Sequence, residues 1–308
     1  MDFKCATLPQ TARYKQHEHP FTLCYTVEDD SGEYYCDICE EERDPKQWFY
    51  YCTECSFPAH RNCILGDSEI CKVIKTTVGE DGTKTVTEIK HFSHIHDLKL
   101  TNEITKNKKC NGCVESIFSP FYSCTQCSFF LHKSCSGLPK IKRHPLDQHP
   151  LTLSYQQASF FCVGCEQTCN GLKYSCQRCN FDYHVQCILL SGTLTHACHE
   201  HHLYLSMTNY RQKCSSCNSE SYFVFCCSTC KFVLDFKCAT LPQITWYNQH
   251  EHPFNLRYTL EDESGEYYCD ICEEERDPKQ WLYYCAECSF PAHCDCILGK
   301  NPNVKQHI

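Results

Sequence analysis

Residues 149–196 read HPLTLSYQQASFFCVGCEQTCNGLKYSCQRCNFDYHVQCILLSGTLTH, with the chemistry-bearing side chains at His149, Cys162, Cys165, Cys176, Cys179, His184, Cys187 and His196. A C-x2-C turn places two thiolates on one ion, and structural zinc takes four Cys or His donors in a tetrahedron. Eight donors in one stretch therefore point to two zinc ions. A unit of about 50 residues buries too little apolar surface to fold unaided, so the metal is expected to complete its core.

The same order recurs on both sides. His96, Cys110, Cys113, Cys124, Cys127, His132, Cys135 and His144 precede the stretch, and His201, Cys214, Cys217, Cys227, Cys230, Asp235 and Cys238 follow it. Asp235 stands where the other copies have His, so that site either binds more weakly through a carboxylate oxygen or stays empty. A first copy carries His19, Cys36, Cys39, Cys52, Cys55, His60 and Cys63, and a fifth carries His252, Cys269, Cys272, Cys285, Cys288, His293 and Cys296. The leading histidines are 77, 53, 52 and 51 residues apart, so the first interval holds an insertion. Residues 1–66 also match residues 234–299 without a gap at 53 of 66 positions, which marks a duplication. Met1 to Cys5 repeat the end of the fourth copy, so the chain is expected to begin inside a module.

The eighth donor is the least defined. His144 and His196 lie five residues before the next leading His. Cys71 fits the spacing after Cys63, His250 is a candidate for the fourth copy, and for the last only His307 remains. His17, His199 and His250 lie two residues before a leading His, and His91 with His94 offers both positions.

Composition agrees with a metal reading. The chain of 308 residues has 32 cysteines and 18 histidines, and no apolar run nears the roughly 18 residues of a membrane span. The first twenty residues lack the apolar core of a secretory leader. A reducing intracellular location, cytoplasm or nucleus, is expected, where dense cysteine reads as zinc rather than disulfide. A formal net charge of -9 disfavours nucleic acid as a partner. The basic stretches Lys106 to Lys109 and Lys140 to Arg143 read as solvated surface.

The ligand order resembles the C1 zinc domain that binds diacylglycerol and phorbol esters in other proteins. The phrases HPFTL, SYQQASFFCVGC, CSFFLHKSC and FKCATLP resemble its plant branch, the divergent C1 (DC1) domain. The resemblance covers nearly the whole chain. It implies small zinc-stapled, mostly β modules of α+β type in a tandem array of cross-braced double-zinc domains. The leading His, second C-x2-C and closing ligand would hold one ion, and the first C-x2-C with H-x2-C the other. In the third copy this gives His149, Cys176, Cys179 and His196, then Cys162, Cys165, His184 and Cys187. The expected divisions are a remnant at 1–16, modules at 17–71, 91–144, 145–196, 197–250 and 251–308, and an inserted linker at 72–90.

Around the ligands, an aromatic stands two before each second C-x2-C (Tyr50, Tyr122, Tyr174, Phe225, Tyr283) and a Phe two after it (Phe57, Phe129, Phe181, Phe232, Phe290). Both sets are expected in the cores. Alternation over Val73 to Thr77 and Thr83 to Ile89, about a Gly-Glu-Asp-Gly turn, predicts a hairpin in the insertion. No long amphipathic helix is expected.

The function that uses every repeated Cys and His is a non-catalytic, multivalent zinc-binding adaptor for protein partners in intracellular signalling. Diacylglycerol-responsive membrane recruitment is possible and not expected, because no loop carries the Gln-Gly pair of the binding members and only Ile117, Phe118, Pro120 and Phe121 make an apolar tip. A RING finger needs C-x-H-x2-C, which is absent, and a PHD finger needs a closing C-x2-C that here belongs to the next repeat. Disulfide-reductase chemistry needs a thiolate at a helix start in a βαβ unit, and none is predicted. The thiols Cys24, Cys169, Cys198, Cys226 and Cys294 recur at no equivalent place.

Overall fold

The computed structural model describes residues 8–14, 17–25, 34–65, 70–79, 82–103, 108–258 and 265–305. The secondary structure is built as the alternation demands: short antiparallel strands separated by C-x2-C turns, with one helix of four or five residues following each run that contains the second C-x2-C. Among the described residues, four four-stranded sheets and one five-stranded sheet follow one another along the chain, every strand paired with its sequence neighbours.

In the third copy the strands are Ile141–Lys142, Leu151–Cys162, Gln167–Cys176 and Phe181–His184, followed by the helix Val185–Leu189. The register places the aromatic before the second C-x2-C at the centre of each sheet. Leu153 faces Tyr174 and Tyr174 faces Tyr183; the same triplets are Leu23, Tyr50, Ala59; Leu100, Tyr122, Leu131; Leu205, Phe225, Leu234; and Leu256, Tyr283, Ala292. All five central aromatics are buried. Three of the four tyrosines satisfy their hydroxyl in the same way, donating to Pro9, Pro139 or Pro242 carbonyls at 2.7–2.8 Å. Those prolines precede the first strand of each sheet, so this bond ties the connecting segment to the core.

Each sheet draws that first strand from residues ahead of its leading histidine. Thr11–Ala12 pairs with Phe21–Cys24, inside the stretch that the repeat assigns to the remnant. The insertion forms the expected hairpin, Cys71–Val78 with Lys84–His91, and its second strand then pairs with Leu98–Thr101 to become part of the second sheet.

The second aromatic set departs from expectation. Phe129 is buried and Phe181 is 43% exposed, while Phe57, Phe232 and Phe290 lie between. These rings are walls for histidines: His94 stacks on Phe129 at 4.1 Å between centroids and His199 on Phe232 at 4.4 Å, and His17 and His250 lie 5.0 Å from Phe57 and Phe290. The third copy has Asp147 at that histidine's position, so Phe181 has no such imidazole to cover it.

The first and fifth modules have cores of their own, whereas the second, third and fourth share one continuous apolar cluster from Ile70 to Ala239. Gly171 marks the tightest approach between the second and third. Its φ is +95°, and a Cβ there would lie 2.5 Å from the Gly112 carbonyl oxygen. Gly171→Ala is therefore expected to destabilise the shared core by about 3 kcal/mol or more, measured by thermal unfolding of the zinc-loaded chain. Gly82→Ala, at φ +79° with nothing within 4 Å, should cost about 1 kcal/mol.

Candidate metal centres

The first C-x2-C of each copy makes a tight turn. The residue after its second cysteine takes a left-handed backbone (Glu40, Val114, Glu166, Asn218, Glu273), which no glycine relieves. In four copies that residue's N–H returns to the first cysteine's carbonyl at 2.8–3.1 Å. The first cysteine's sulfur in turn accepts the backbone N–H of the residue in the H-x2-C position. Cys36, Cys110, Cys162, Cys214 and Cys269 accept from His60, His132, His184, Asp235 and His293 at 3.1–3.5 Å. N–H donation to sulfur favours the thiolate, the form that binds metal.

These bonds draw the inner donors together. Cys36, Cys39, His60 and Cys63 form one group with all ligand atoms within 4.8 Å of each other, and Cys110, Cys113, His132 and Cys135 form another. His60, His132 and His293 present Nδ1 to the second sulfur of the turn at 3.2, 3.2 and 3.4 Å. The opposite nitrogen of His60, His132 and His184 meets a backbone carbonyl, of Glu42, Ser116 and Cys113 respectively, at 3.1–3.4 Å. A carbonyl on Nε2–H fixes the tautomer that leaves Nδ1 free for metal. Hydrogen bonds that the His60 ring donates to the Cys36 and Cys39 sulfurs push its pKa up to about 10.

In the fourth copy Asp235 is buried and does two jobs. One carboxylate oxygen caps the following helix by accepting the Cys238 N–H at 2.7 Å; the other accepts from Ser219 Oγ at 2.6 Å and faces Cys217 at 3.3 Å. The third copy's inner site has an extra sulfur. Cys169 is fully buried beside Cys162 and Cys165, placed there by pairing of its strand with Phe160.

The outer groups close differently from the expectation. They are His17, His19, Cys52, Cys55; His94, His96, Cys124, Cys127; and His199, His201, Cys227, Cys230, with ligand atoms again within 4.8 Å. The eighth donor is thus the residue two before the leading His of the same copy. His94 and His199 approach the second sulfur through Nε2 at 3.4 and 3.5 Å. His19 and His252 approach theirs through Nδ1 at 3.1 and 3.2 Å, and His96 approaches Cys124 through Nδ1 at 3.6 Å. His250 stands beside His252, ring centroids 5.8 Å apart, so it belongs with the fifth copy's Cys285 and Cys288 rather than closing the fourth. Glu54 and Glu287 each lie 3.1 Å from the remaining nitrogen of His19 and His252.

The expected trailing residues lie elsewhere. His144 accepts the Leu146 N–H at Nδ1 and bonds the Leu190 carbonyl through Nε2 at 2.6 Å. His196 bonds Cys198 and stacks flat on Trp281, 5.6 Å between centroids. Burial pushes both imidazoles below the usual histidine range. Cys71 sits in the hairpin opposite His91, and the first outer group closes without it. His307 lies outside the described residues. His91, His144 and His196 share one structural part with Tyr14 and Tyr247: their carbonyls accept the N–H of the residue three further on at 3.0 Å. That turn aims His17, His94, Asp147, His199 and His250 at the outer sulfurs.

Asp147 is the donor that sequence reasoning missed. Its Oδ1 lies 3.3 Å from His149 Nδ1 and 3.6 Å from Cys179 Sγ, and His149 Nδ1 lies 3.3 Å from Cys179 and 3.7 Å from Cys176. The signal was D-x-H where the other copies read H-x-H. Zinc fits these groups on an observation independent of spacing: His17 Nε2, His184 Nδ1, His201 Nδ1 and His250 Nε2 are buried without a hydrogen-bond partner. A buried orphan nitrogen is costly unless something else binds it.

A family model described as the C1 domain matches residues 15–64, 92–136, 142–188 and 248–297. The chain belongs to the C1 domain family. It is a tandem array of small, strand-rich C1-like modules with Cys/His groups suited to zinc. The fourth copy lies between the matched ranges, yet its sheet has the strand order of the first, third and fifth modules. No curated protein and no solved structure matches the chain.

Proposed function

We propose that this C1 array is a non-catalytic adaptor for protein partners in intracellular signalling, holding about two zinc ions in each module. The carrying observation is closure. The five groups named above have four donors each, and the inner histidines His60 and His132 are fastened from behind by backbone carbonyls. Four protein donors leave no corner for substrate or water, which is the mark of structural zinc. With Asp147 and Asp235 as oxygen donors, five modules hold about ten ions, two per module. Cobalt substitution tests the reading: added azide should leave the visible d–d bands of the cobalt-loaded chain unchanged, and a new band would reveal an open position.

The apolar loop that could have favoured lipid is partly spent on packing. Ile117 and Phe121 are buried, and Phe118, 41% exposed, stacks on Trp246 at 6.4 Å. Membrane lipid stays possible and not expected, and no helix among the described residues is long and apolar enough to cross a membrane. The acidic loop starting at Glu40 already meets a basic group of its own chain, because Arg143 pairs with Glu40 and donates to the Asp37 carbonyl. Tandem modules let weak contacts add through effective concentration, which suits protein partners.

A further inference from the structure

After the fifth module the chain turns back and residues 301–305 lie across the seam between the second and third modules. Their contacts are those of a bound peptide. The Asn170 N–H donates to the Asn303 carbonyl at 3.0 Å. The Asn170 side chain reads the backbone of Lys305 in both directions, donating to its carbonyl at 2.8 Å and accepting its N–H at 2.9 Å. Asn303 Nδ2 donates to Gln167 Oε1 at 2.8 Å. The Lys305 ammonium donates to the Lys109 carbonyl at 2.7 Å and to Asn111 Oδ1 at 2.6 Å, with the Phe130 ring centroid 5.3 Å away.

The receiving groups are built into the modules. Asn170 and Asn111 are only 3% and 5% exposed, and Asn111 Oδ1 is also fixed by the Phe130 N–H at 2.9 Å. Neither recurs: the residues equivalent to Asn111 are Asp37, Val163, Ser215 and Asp270. Two oxygens and an aromatic face suit a compact ammonium, which donates in several directions, better than a planar guanidinium. Backbone pairing supplies affinity and the side-chain pockets supply selectivity, as in other modes of extended-peptide recognition.

We propose that this seam is a binding groove for an extended protein segment carrying an unmodified lysine two residues after an asparagine, and that residues 301–305 fill it as an internal ligand which such a partner displaces. The proposal names the partner class of the adaptor and rests on that reading only in taking the occupant to be protein. The internal segment competes at high effective concentration, so the groove is masked in the unaltered chain.

The test is fluorescence anisotropy with a labelled Lys-Asn-Pro-Asn-Val-Lys peptide and the zinc-loaded full chain. The variant Asn303→Ala with Lys305→Ala should bind it at least about tenfold more tightly than the unaltered chain. A peptide ending in acetyl-lysine should bind the variant at least about tenfold more weakly. In the unaltered chain, excess peptide should speed hydrogen exchange at the Lys305 amide, a readout that needs no variant to fold. Equal binding to both chains, indifference to acetylation, or unchanged exchange would each overturn the groove. Failure of the adaptor reading would show separately, in the azide response of the cobalt-loaded chain.

Discussion

Stripping zinc from the reduced protein with a strong chelator is expected to unfold it, with the second, third and fourth modules going together. A structural zinc of this type supplies roughly 10–16 kcal/mol of apparent binding energy at neutral pH, as much as or more than the whole stability of a small domain. No single module can lose that and stay folded. The middle three share one apolar cluster, so circular dichroism should report one transition for them, while the fluorescence of Trp48, Trp246 and Trp281 follows the first and fifth modules, whose cores are separate clusters. Reductant alone should leave the fold intact, since every described cysteine is a free thiol. Acid should act as the chelator does. His60, its proton affinity raised by hydrogen bonding to the Cys36 and Cys39 sulfurs, must release its proton to bind, so zinc affinity falls as pH drops.

The second large effect is expected from Cys110→Ser. Cys110 is fully buried, accepts N–H bonds from Gly112 at 3.2 Å and His132 at 3.4 Å, and belongs to the cluster shared by three modules. Its loss removes the inner ion of the second module and leaves Cys113 and Cys135, buried, and the half-buried His132 as uncompensated donors. The expected cost exceeds about 4 kcal/mol, with the middle three modules unfolding at a much lower temperature in calorimetry. Cys55→Ser is the contrast. Cys55 is an exposed outer donor of a module with a separate core, so one ion is lost and the transition of the middle modules should not move.

Much of this was legible because a C-x2-C turn puts its sulfurs at fixed backbone positions. The inner pairing of Cys36 and Cys39 with His60 and Cys63 is the one that the resemblance to the C1 domain implies, and the structure brings those four together. The closing outer donor was not legible in the same way. In a tandem array a histidine between two modules can be counted to either, and His144 and His196 recur as regularly as a ligand would. What separates them from His94 is a turn: the carbonyl at one position holds the N–H three residues on, and only the latter residue faces the sulfurs. Asp147 was not legible because the closing donor was sought after the H-x2-C pair, where the third copy offers His196. Phe181 was expected in the core because its four counterparts looked identical, yet they are held by an imidazole that the third module lacks.

Each C1 module is expected to bind two ions, with the donor two before the leading His closing the outer one. Native mass spectrometry of the full chain, purified with zinc under reductant, tests it directly. The unaltered chain should carry about ten ions, His94→Ala and Asp147→Ala should each carry one fewer, and His144→Ala and His196→Ala should carry the full number. Fewer than about six ions on the unaltered chain, or an ion lost from His144→Ala while His94→Ala keeps all of them, would contradict it.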